Sequence, residues 1–402
     1  ADLNACDTVG CSPVYVAAQM GHETSIRVLA ELGADLNACQ KDGVTPMCVA
    51  AHEGHGTSIR ALAELGADLN ACDDEGRTPG HLAAQKGQIS SIRALAELGA
   101  DLNACNNNIG RTPAHLAAQM GQISSIRALA ELGADLNACN NNIGRTPAWL
   151  AAHQGQGVSL RALAELGANL NACDKSGRTP AYIAAEQGQE ISIRVLAELG
   201  ADLSTPSSDG VTPACIAAHR GHETSIRALA ELGADLNACG NAGRTPAHFA
   251  AQTGQISSIR ALAEVGADLN ACDTVGCSPV YVAAQMGHET SIRVLAELGA
   301  DLNACQKDGV TPMCVAAHQG HGTSIRALAE LGADVNACDD EGRTPGHLAA
   351  QMGQISSIRA LAELGADLNA YNNNIGRTPA WLAAEQGQEI SIRVLAELGA
   401  DL

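Results

Sequence analysis

The sequence predicts a mainly α-helical solenoid, in which units of helix, turn, helix and hairpin stack in one elongated superhelix. The phrase Ala-Asp-Leu-Asn-Ala-Cys returns, with small changes, every 33 or 34 residues of the 402-residue chain. Each unit contains two short segments, and the second has the apolar spacing of a packed helix. The aromatic residues are only two Trp, four Tyr and one Phe, so alanine and leucine must fill the interior of thin, closely packed layers.

The units are repeats of one organisation, and we expect them to form a single array over residues 1–402. The twelve repeats begin at Ala1, Ala34, Ala67, Ala100, Ala134, Ala168, Ala201, Ala234, Ala267, Ala300, Ala333 and Ala366. In the fourth repeat, Thr112 can cap a first helix whose first turn holds Pro113, where no amide partner is lost. Gly121 ends that helix and Gly133 ends a second one. The next Ala-Asp-Leu-Asn-Ala-Cys is predicted to form an extended hairpin arm.

These motifs resemble a known signature. Residues 110–118 read Gly-Arg-Thr-Pro-Ala-His-Leu-Ala-Ala, Gly121 follows, and residues 133–138 read Gly-Ala-Asp-Leu-Asn-Ala. The pattern resembles that of the ankyrin-repeat family and returns twelve times across the whole chain. The resemblance implies antiparallel helix pairs stacked side by side, with hairpins projecting at right angles. It also implies binding of other proteins through the hairpin tips and the inner, concave helices.

The sequence also has a second, longer period that contains eight repeats. Residues 1–99 return at 267–365, which indicates duplication of a block of 266 residues. The three differing pairs are Glu53 and Gln319, Leu69 and Val335, and Lys86 and Met352. Both ends of the chain keep the interior sequence, whereas terminal repeats of such arrays usually carry a polar outer face. We therefore expect either a segment of a longer array or ends that copies of the chain cover.

Composition and motifs exclude several classes of function. The formal charge of −20 opposes nucleic-acid phosphates and anionic membranes. No run of eighteen apolar residues is present, so we expect no membrane insertion. The sequence contains no glycine-rich phosphate loop and no recognisable nucleophile–base pair or paired carboxylates. It therefore predicts no enzyme and no cofactor.

Cysteine and histidine patterns predict no metal site. Ten cysteines share one place in the repeat: Cys6, Cys39, Cys72, Cys105, Cys139, Cys173, Cys239, Cys272, Cys305 and Cys338. Stacked helices lie about 8–10 Å apart, too far for disulfides between neighbouring repeats, so we interpret these residues as small and half-buried. Reduced thiols favour a cytoplasmic setting. His52 and His55 flank Gly54, where a helix should stop, and are interpreted as turn residues. Glycosylation at Asn-Ala-Cys stays open.

Differences among the repeats concentrate at the hairpin tips, at the second and third residues of the first helices and near the ends of those helices. A recognition surface and neutral drift both account for this pattern. On the first interpretation the chain is a non-catalytic scaffold for a protein partner. The candidate contact residues are Tyr15, Lys41, Asn107, Asn108, Asn141, Asn142, Trp149, Tyr182, Tyr371, Asn373 and Trp381. The alternative is a structural rod or filament that copies of the chain build by end-to-end stacking.

Three local predictions concern the arms and the second helices. The 34-residue repeats carry one extra residue in the tip, which should bulge the tip without lengthening a helix. Arg127 and Glu131 lie one turn apart and should pair on the solvent face of the second helix. The seventh arm reads Ser-Thr-Pro at 204–206 in place of Asn-Ala-Cys, and should be the weak point of the array.

Overall fold

The computed structural model describes residues 3–8, 10–107, 109–141, 143–373 and 376–402. The chain divides into two compact bodies, Ala1–Ser208 and Asp209–Leu402. Both consist of paired short helices, and the described residues contain no β-strand. The predicted helical repeat fold is confirmed, although the arms are built from turns instead of paired strands.

In the first body, the first helices of the repeats all begin at a proline. They are α1 (Pro13–Gln19), α3 (Pro46–Glu53), α5 (Pro79–Lys86), α7 (Pro113–Gln119), α9 (Pro147–His153) and α11 (Pro180–Glu186). The second helices are α2 (Glu23–Glu31), α4 (Gly56–Glu64), α6 (Ile89–Glu97), α8 (Ile123–Glu131), α10 (Gly157–Glu165) and α12 (Glu190–Glu198). Successive first helices pack against each other, and successive second helices do the same.

The second body has the same two layers. Its first helices are α13 (Pro213–Arg220), α15 (Pro246–Thr253), α17 (Pro279–Met286), α19 (Pro312–Gln319), α21 (Pro345–Gln351) and α23 (Pro379–Glu385). Its second helices are α14 (Glu223–Glu231), α16 (Ile256–Glu264), α18 (Glu289–Glu297), α20 (Gly322–Glu330), α22 (Ile355–Glu363) and α24 (Glu389–Glu397).

The first helices begin, and both helices of a repeat end, through the local chemistry that the sequence predicts. At α7, Thr112 is the N-cap, Pro113 occupies the first turn, and the His115 side chain accepts from the Thr112 amide at 3.1 Å. Gly121 and Gly133 follow the two helices with φ of 75° and 84°, a left-handed backbone that favours glycine. Small apolar residues, such as the fully buried Ala117 and Ala118, fill the interface between layers.

The extra residue of the 34-residue repeats leaves the helices unchanged. In the fourth repeat α7 has seven residues and α8 has nine, the same lengths as α11 and α12 of a 33-residue repeat. The prediction that a helix would not absorb the extra residue is confirmed. Asn108, Asn142, Asn374 and Ile375, at the tips concerned, lie outside the described residues.

Neighbouring arms are joined by an asparagine ladder. The Oδ1 atom of Asn103 accepts from the amide of Asp135 in the next arm at 2.8 Å, and Asp135 Oδ1 accepts from the amide of Asn137 at 2.8 Å. The same bond to the next arm is made by Asn4, Asn37, Asn70, Asn137, Asn171, Asn237, Asn270, Asn303, Asn336 and Asn369. The Asn of Asn-Ala-Cys thus has a structural role within the arms.

Two sequence-based interpretations need correction. The ten cysteines of the arms are exposed rather than half-buried, because the arm turns away from the helices after a buried leucine such as Leu102. The predicted pairing of Arg127 with Glu131 is also wrong. Arg127 Nη2 lies 2.5 Å from Glu165 in the next repeat, and Glu131 pairs with Arg93 of the preceding repeat at 2.6 Å. Close stacking of second helices brings these side chains together.

Candidate protein-binding surface

The first helices of the first body leave a groove on their exposed side. This cavity of about 380 Å³ crosses α1, α3 and α5. The floor of the groove consists of Tyr15, Val49 and Leu82. Its polar wall consists of Gln19, His52 and Gln85. The three floor residues are at most 6 % exposed, whereas Gln19 is exposed. An apolar floor beside a few polar groups is typical of a site that binds a side chain or a small ligand.

An arginine closes this groove and is held in place from below. Arg77 Nε donates to Asp73 Oδ2 at 2.8 Å, and the Asp73 side chain is only 1 % exposed. The other carboxylate oxygen of Asp73 accepts from the amides of Glu75 and Arg77 at 3.0 and 2.8 Å. Because a buried carboxylate that accepts three hydrogen bonds orients it, the Arg77 guanidinium is fixed before any partner arrives.

The second body contains a matching groove. A cavity of about 360 Å³ crosses α17, α19 and α21, with Tyr281, Val315 and Leu348 on its floor. Arg343 closes it and donates to Asp339 at 2.8 Å, in the arrangement of the first body. Sequence reasoning had marked variable positions near the ends of the first helices but missed these arginines. An Asp that lies four residues before each Arg was the available signal.

The predicted aromatic contact residues divide into buried and exposed groups. Tyr15 lies on the groove floor, and burial raises the pKa of its hydroxyl to about 12. Trp149 is 1 % exposed and Tyr182 is 6 % exposed, so both are core residues rather than the accessible anchors expected from the sequence. Tyr371 and Trp381 are 71 % and 43 % exposed and line a separate cavity of about 360 Å³.

The ring of Trp149 contacts the guanidinium group of Arg145. The Arg145 guanidinium lies 4.0 Å from the centre of the Trp149 ring, and His153 stacks on the ring at 5.5 Å. Arg377 covers the ring of Trp381 in the same way at 3.5 Å. A cation over an indole face is stabilised electrostatically, so each Trp orients an Arg at the exposed side of its repeat.

The predicted tip residues lie apart from the grooves. Lys41, Asn107, Asn141 and Asn373 are exposed in the turns of the arms. Asn108 and Asn142 lie outside the described residues. Of the predicted contact residues that the structure describes, Tyr15 alone lines one of the two grooves.

The turn histidines connect neighbouring repeats. His55 Nε2 donates to the backbone carbonyl of Gln19 at 3.0 Å, and His288 and His321 make the equivalent bond. In the part of the chain that the structure describes, no three His, Cys, Asp or Glu side chains are grouped to hold a metal ion. None of the described helices has the length and apolar character needed to cross a membrane.

Comparison with known proteins supports the repeat pattern throughout the chain. A family model described as ankyrin repeats (3 copies) matches residues 1–73, 58–140, 133–207, 199–273, 265–339 and 331–402. The chain is similar to the crystal structure of the ankyrin repeat domain of Bcl-3, described as a unique member of the IkappaB protein family. The two share 28 % identity over 55 % of this chain and 98 % of that chain, with a TM-score of 0.48. No curated protein matches the chain.

Proposed function

Because the chain belongs to the ankyrin-repeat family, we propose that it is a non-catalytic scaffold that binds partner proteins through the exposed side of its first helices and the tips of its arms. Ankyrin repeats are generally protein–protein interaction modules. The observation that carries the proposal is the groove across α1, α3 and α5, with an apolar floor and an arginine already oriented at its edge.

The outer side of the second helices differs from the groove side, and the difference supports binding of a partner at the first helices. There the Arg side chains pair with Glu of the next repeat, as in Arg60–Glu97 at 2.7 Å and Arg260–Glu297 at 2.9 Å. Exposed pairs of this kind contribute about 0–1 kcal/mol each, and they leave charges of both signs already matched. The groove side instead offers apolar area together with polar groups, which a partner needs for affinity and orientation.

Affinity capture with matched variants tests the proposal. Gln19→Arg combined with Gln85→Arg places two bulky charges in the first groove at positions that are not buried. Glu131→Gln on α8 is the control, because it removes one exposed pair on the opposite layer. We expect a protein captured from an extract of the source organism to be lost or weakened with the groove variant and retained with the control. If both variants capture the partner protein equally well, the proposal is wrong for this groove.

Self-assembly into a rod or filament is the alternative function. It predicts that the mass of the native particle rises with protein concentration, whereas a binding scaffold keeps a constant mass until a partner is added. Sedimentation velocity over a hundredfold range of concentration separates the two. If the mass rises with concentration to the same extent in the wild-type chain and in the variant Gln19→Arg with Gln85→Arg, the structural role is favoured.

A further inference from the structure

The grooves of the two bodies are duplicates of one another. Every residue named above on the floor of the first groove has its counterpart 266 positions later on the floor of the second. The closing arginines, Arg77 and Arg343, are counterparts as well, and both are held by a buried aspartate. The molecule therefore carries two sites of one shape.

The two sites differ in charge at their rims. Residues 1–99 and 267–365 differ at three positions, and two of these, Glu53/Gln319 and Lys86/Met352, line the grooves. Ten of the first 99 residues line the first groove, so the differences are concentrated there. The third pair, Leu69 and Val335, lies in an arm. Shape has thus been retained while the rim has changed.

The change alters the pattern of charge without altering its sum. Glu53 ends α3 and Lys86 ends α5, and both side chains are exposed. Glu53 lies 2.9 Å from His52 Nδ1. The second groove has an uncharged amide at Gln319 and an apolar thioether at Met352, which is 44 % exposed. At these two positions the first rim therefore presents an anion and a cation on adjacent helices, and the second rim presents two uncharged side chains.

The distance between α3 and α5 predicts how far apart the charged residues of a bound peptide should be. Packed helices lie about 8–10 Å apart, and an extended peptide in the polyproline II conformation advances about 3.1 Å per residue with three residues per turn. Residues three positions apart then lie on one side of the peptide, about 9 Å from each other, so a peptide that crosses α3 and α5 places such a pair opposite Glu53 and Lys86. A basic and an acidic residue at that spacing would match both charges at the first groove.

Resting on the proposed function, we infer that both grooves bind an extended segment of a partner protein through one aliphatic or aromatic side chain seated on the Tyr-Val-Leu floor. Glu53 and Lys86 direct the first groove to segments with a basic and an acidic residue three positions apart. Gln319 and Met352 direct the second groove to segments with uncharged residues at those places. The duplication thereby produced two sites of different specificity.

Exchange of the rims between the copies tests the inference. E53Q/K86M converts the first groove to the second type, and Q319E/M352K converts the second groove to the first type. Each substitution installs the residue that the other copy already has in the same surroundings, so the fold should be kept, which thermal melting by circular dichroism checks. The probe is a displayed library of random twelve-residue peptides, selected in parallel on the wild-type chain and on both variants.

We expect peptides selected on Q319E/M352K to carry Lys or Arg and Asp or Glu three positions apart around an apolar residue. Peptides selected on E53Q/K86M should lack that charge pair, and the wild-type chain should yield both classes. Synthetic peptides of the charged class should lose affinity about two- to fivefold for each charge that is removed, the range for exposed ion pairs. That loss should shrink at 0.5 M salt.

The controls distinguish a failure of the assigned specificity from a failure of the proposed function. Gln85→Arg with Gln351→Arg obstructs both grooves and should abolish binding of both peptide classes. If the same peptides emerge from both rim variants, the assigned specificity is wrong although the grooves still bind protein segments. If no peptide is enriched on any of the three proteins, the grooves are not peptide sites and the proposed function fails with the inference.

Discussion

His115 Nε2 donates a hydrogen bond to the backbone carbonyl of Arg145, 2.9 Å away in the next repeat. Its Nδ1 atom accepts from the amide of Thr112, so one neutral imidazole joins the start of its own helix to its neighbour. Burial lowers the pKa of His115 to about 4, although the bond to the Arg145 carbonyl opposes the shift. The same arrangement occurs at His81, His248 and His347, and burial lowers the pKa of each.

Acid should therefore destabilise the array through these histidines. The folded state keeps His115 neutral, while the unfolded chain binds a proton below about pH 6.5. The unfolded state then holds more protons between about pH 6.5 and 4, so the free energy of unfolding falls as the pH falls. We expect His115 to contribute a slope of up to about 1.4 kcal/mol per pH unit in this window, and the other three histidines to act in the same direction.

His115→Cys isolates that contribution, because Cys215 occupies the equivalent place in another repeat and its amide also bonds the N-cap threonine. The variant should show a shallower loss of stability between pH 7 and 4.5 than the wild-type chain, as measured by urea unfolding. Parallel pH profiles for the two proteins would contradict the assignment.

The asparagine ladder should stabilise the arms locally. Asn103→Ala removes the acceptor of the Asp135 amide, and a lost bond of this kind costs about 0.5–1.5 kcal/mol. Hydrogen exchange at the Asp135 amide should become faster, with little change in arms further along the array. Asn107→Ala, at an exposed tip, is the control and should leave that amide unaffected. Unchanged exchange at Asp135 in Asn103→Ala would rule out a stabilising role.

The buried serines of the second helices offer a stabilising substitution. The Ser125 hydroxyl is fully buried and has no hydrogen-bond partner among the described residues. An unsatisfied buried hydroxyl costs about 1–3 kcal/mol, and alanine is the better helix former. Ser125→Ala should raise the melting temperature, whereas Ser124→Ala, at the exposed neighbouring position, should change it little. A lower melting temperature for Ser125→Ala would show that the hydroxyl is bonded after all.

The seventh arm should be the first site of limited proteolysis, between Ser204 and Asp209. Ser204 replaces the ladder asparagine, and Pro206 has no amide to donate. Asp202 partly compensates, because it accepts from the Thr205 hydroxyl at 2.5 Å in addition to the Ser204 amide at 2.7 Å, which corresponds to the bond of Asn137 to Asp135 in an ordinary arm. These bonds hold the pKa of Asp202 below its usual value, and the bond from Thr205 contributes most.

Restoration of the common arm sequence provides the matched control. Ser204→Asn with Thr205→Ala and Pro206→Cys should delay cleavage at this arm to the rate of the other arms. Mass spectrometry of the first fragments locates the cut. Cleavage that begins elsewhere in the wild-type chain, or a restored arm that is cut as fast as before, would refute the prediction.

The sequence was a sufficient guide wherever a few adjacent residues determine structure. Thr112, Pro113 and Gly121 act on their own helix through a side-chain cap, a fixed φ and a left-handed turn, so the ends of α7 could be predicted. The extra tip residue could be assigned to the arm for the same reason. The variable ends of the first helices also pointed to the side of the molecule where the grooves lie.

Only the tertiary structure decided which side chains meet across repeats. Arg127 finds Glu165 instead of Glu131, Trp149 is buried beneath Arg145, and Asp73 orients Arg77 at the edge of a groove. Arg and Glu recur at the same two places in every second helix, so the sequence alone offers each of them several partners of equal chemistry. The choice depends on the distance and angle between stacked helices, and packing sets these geometric quantities.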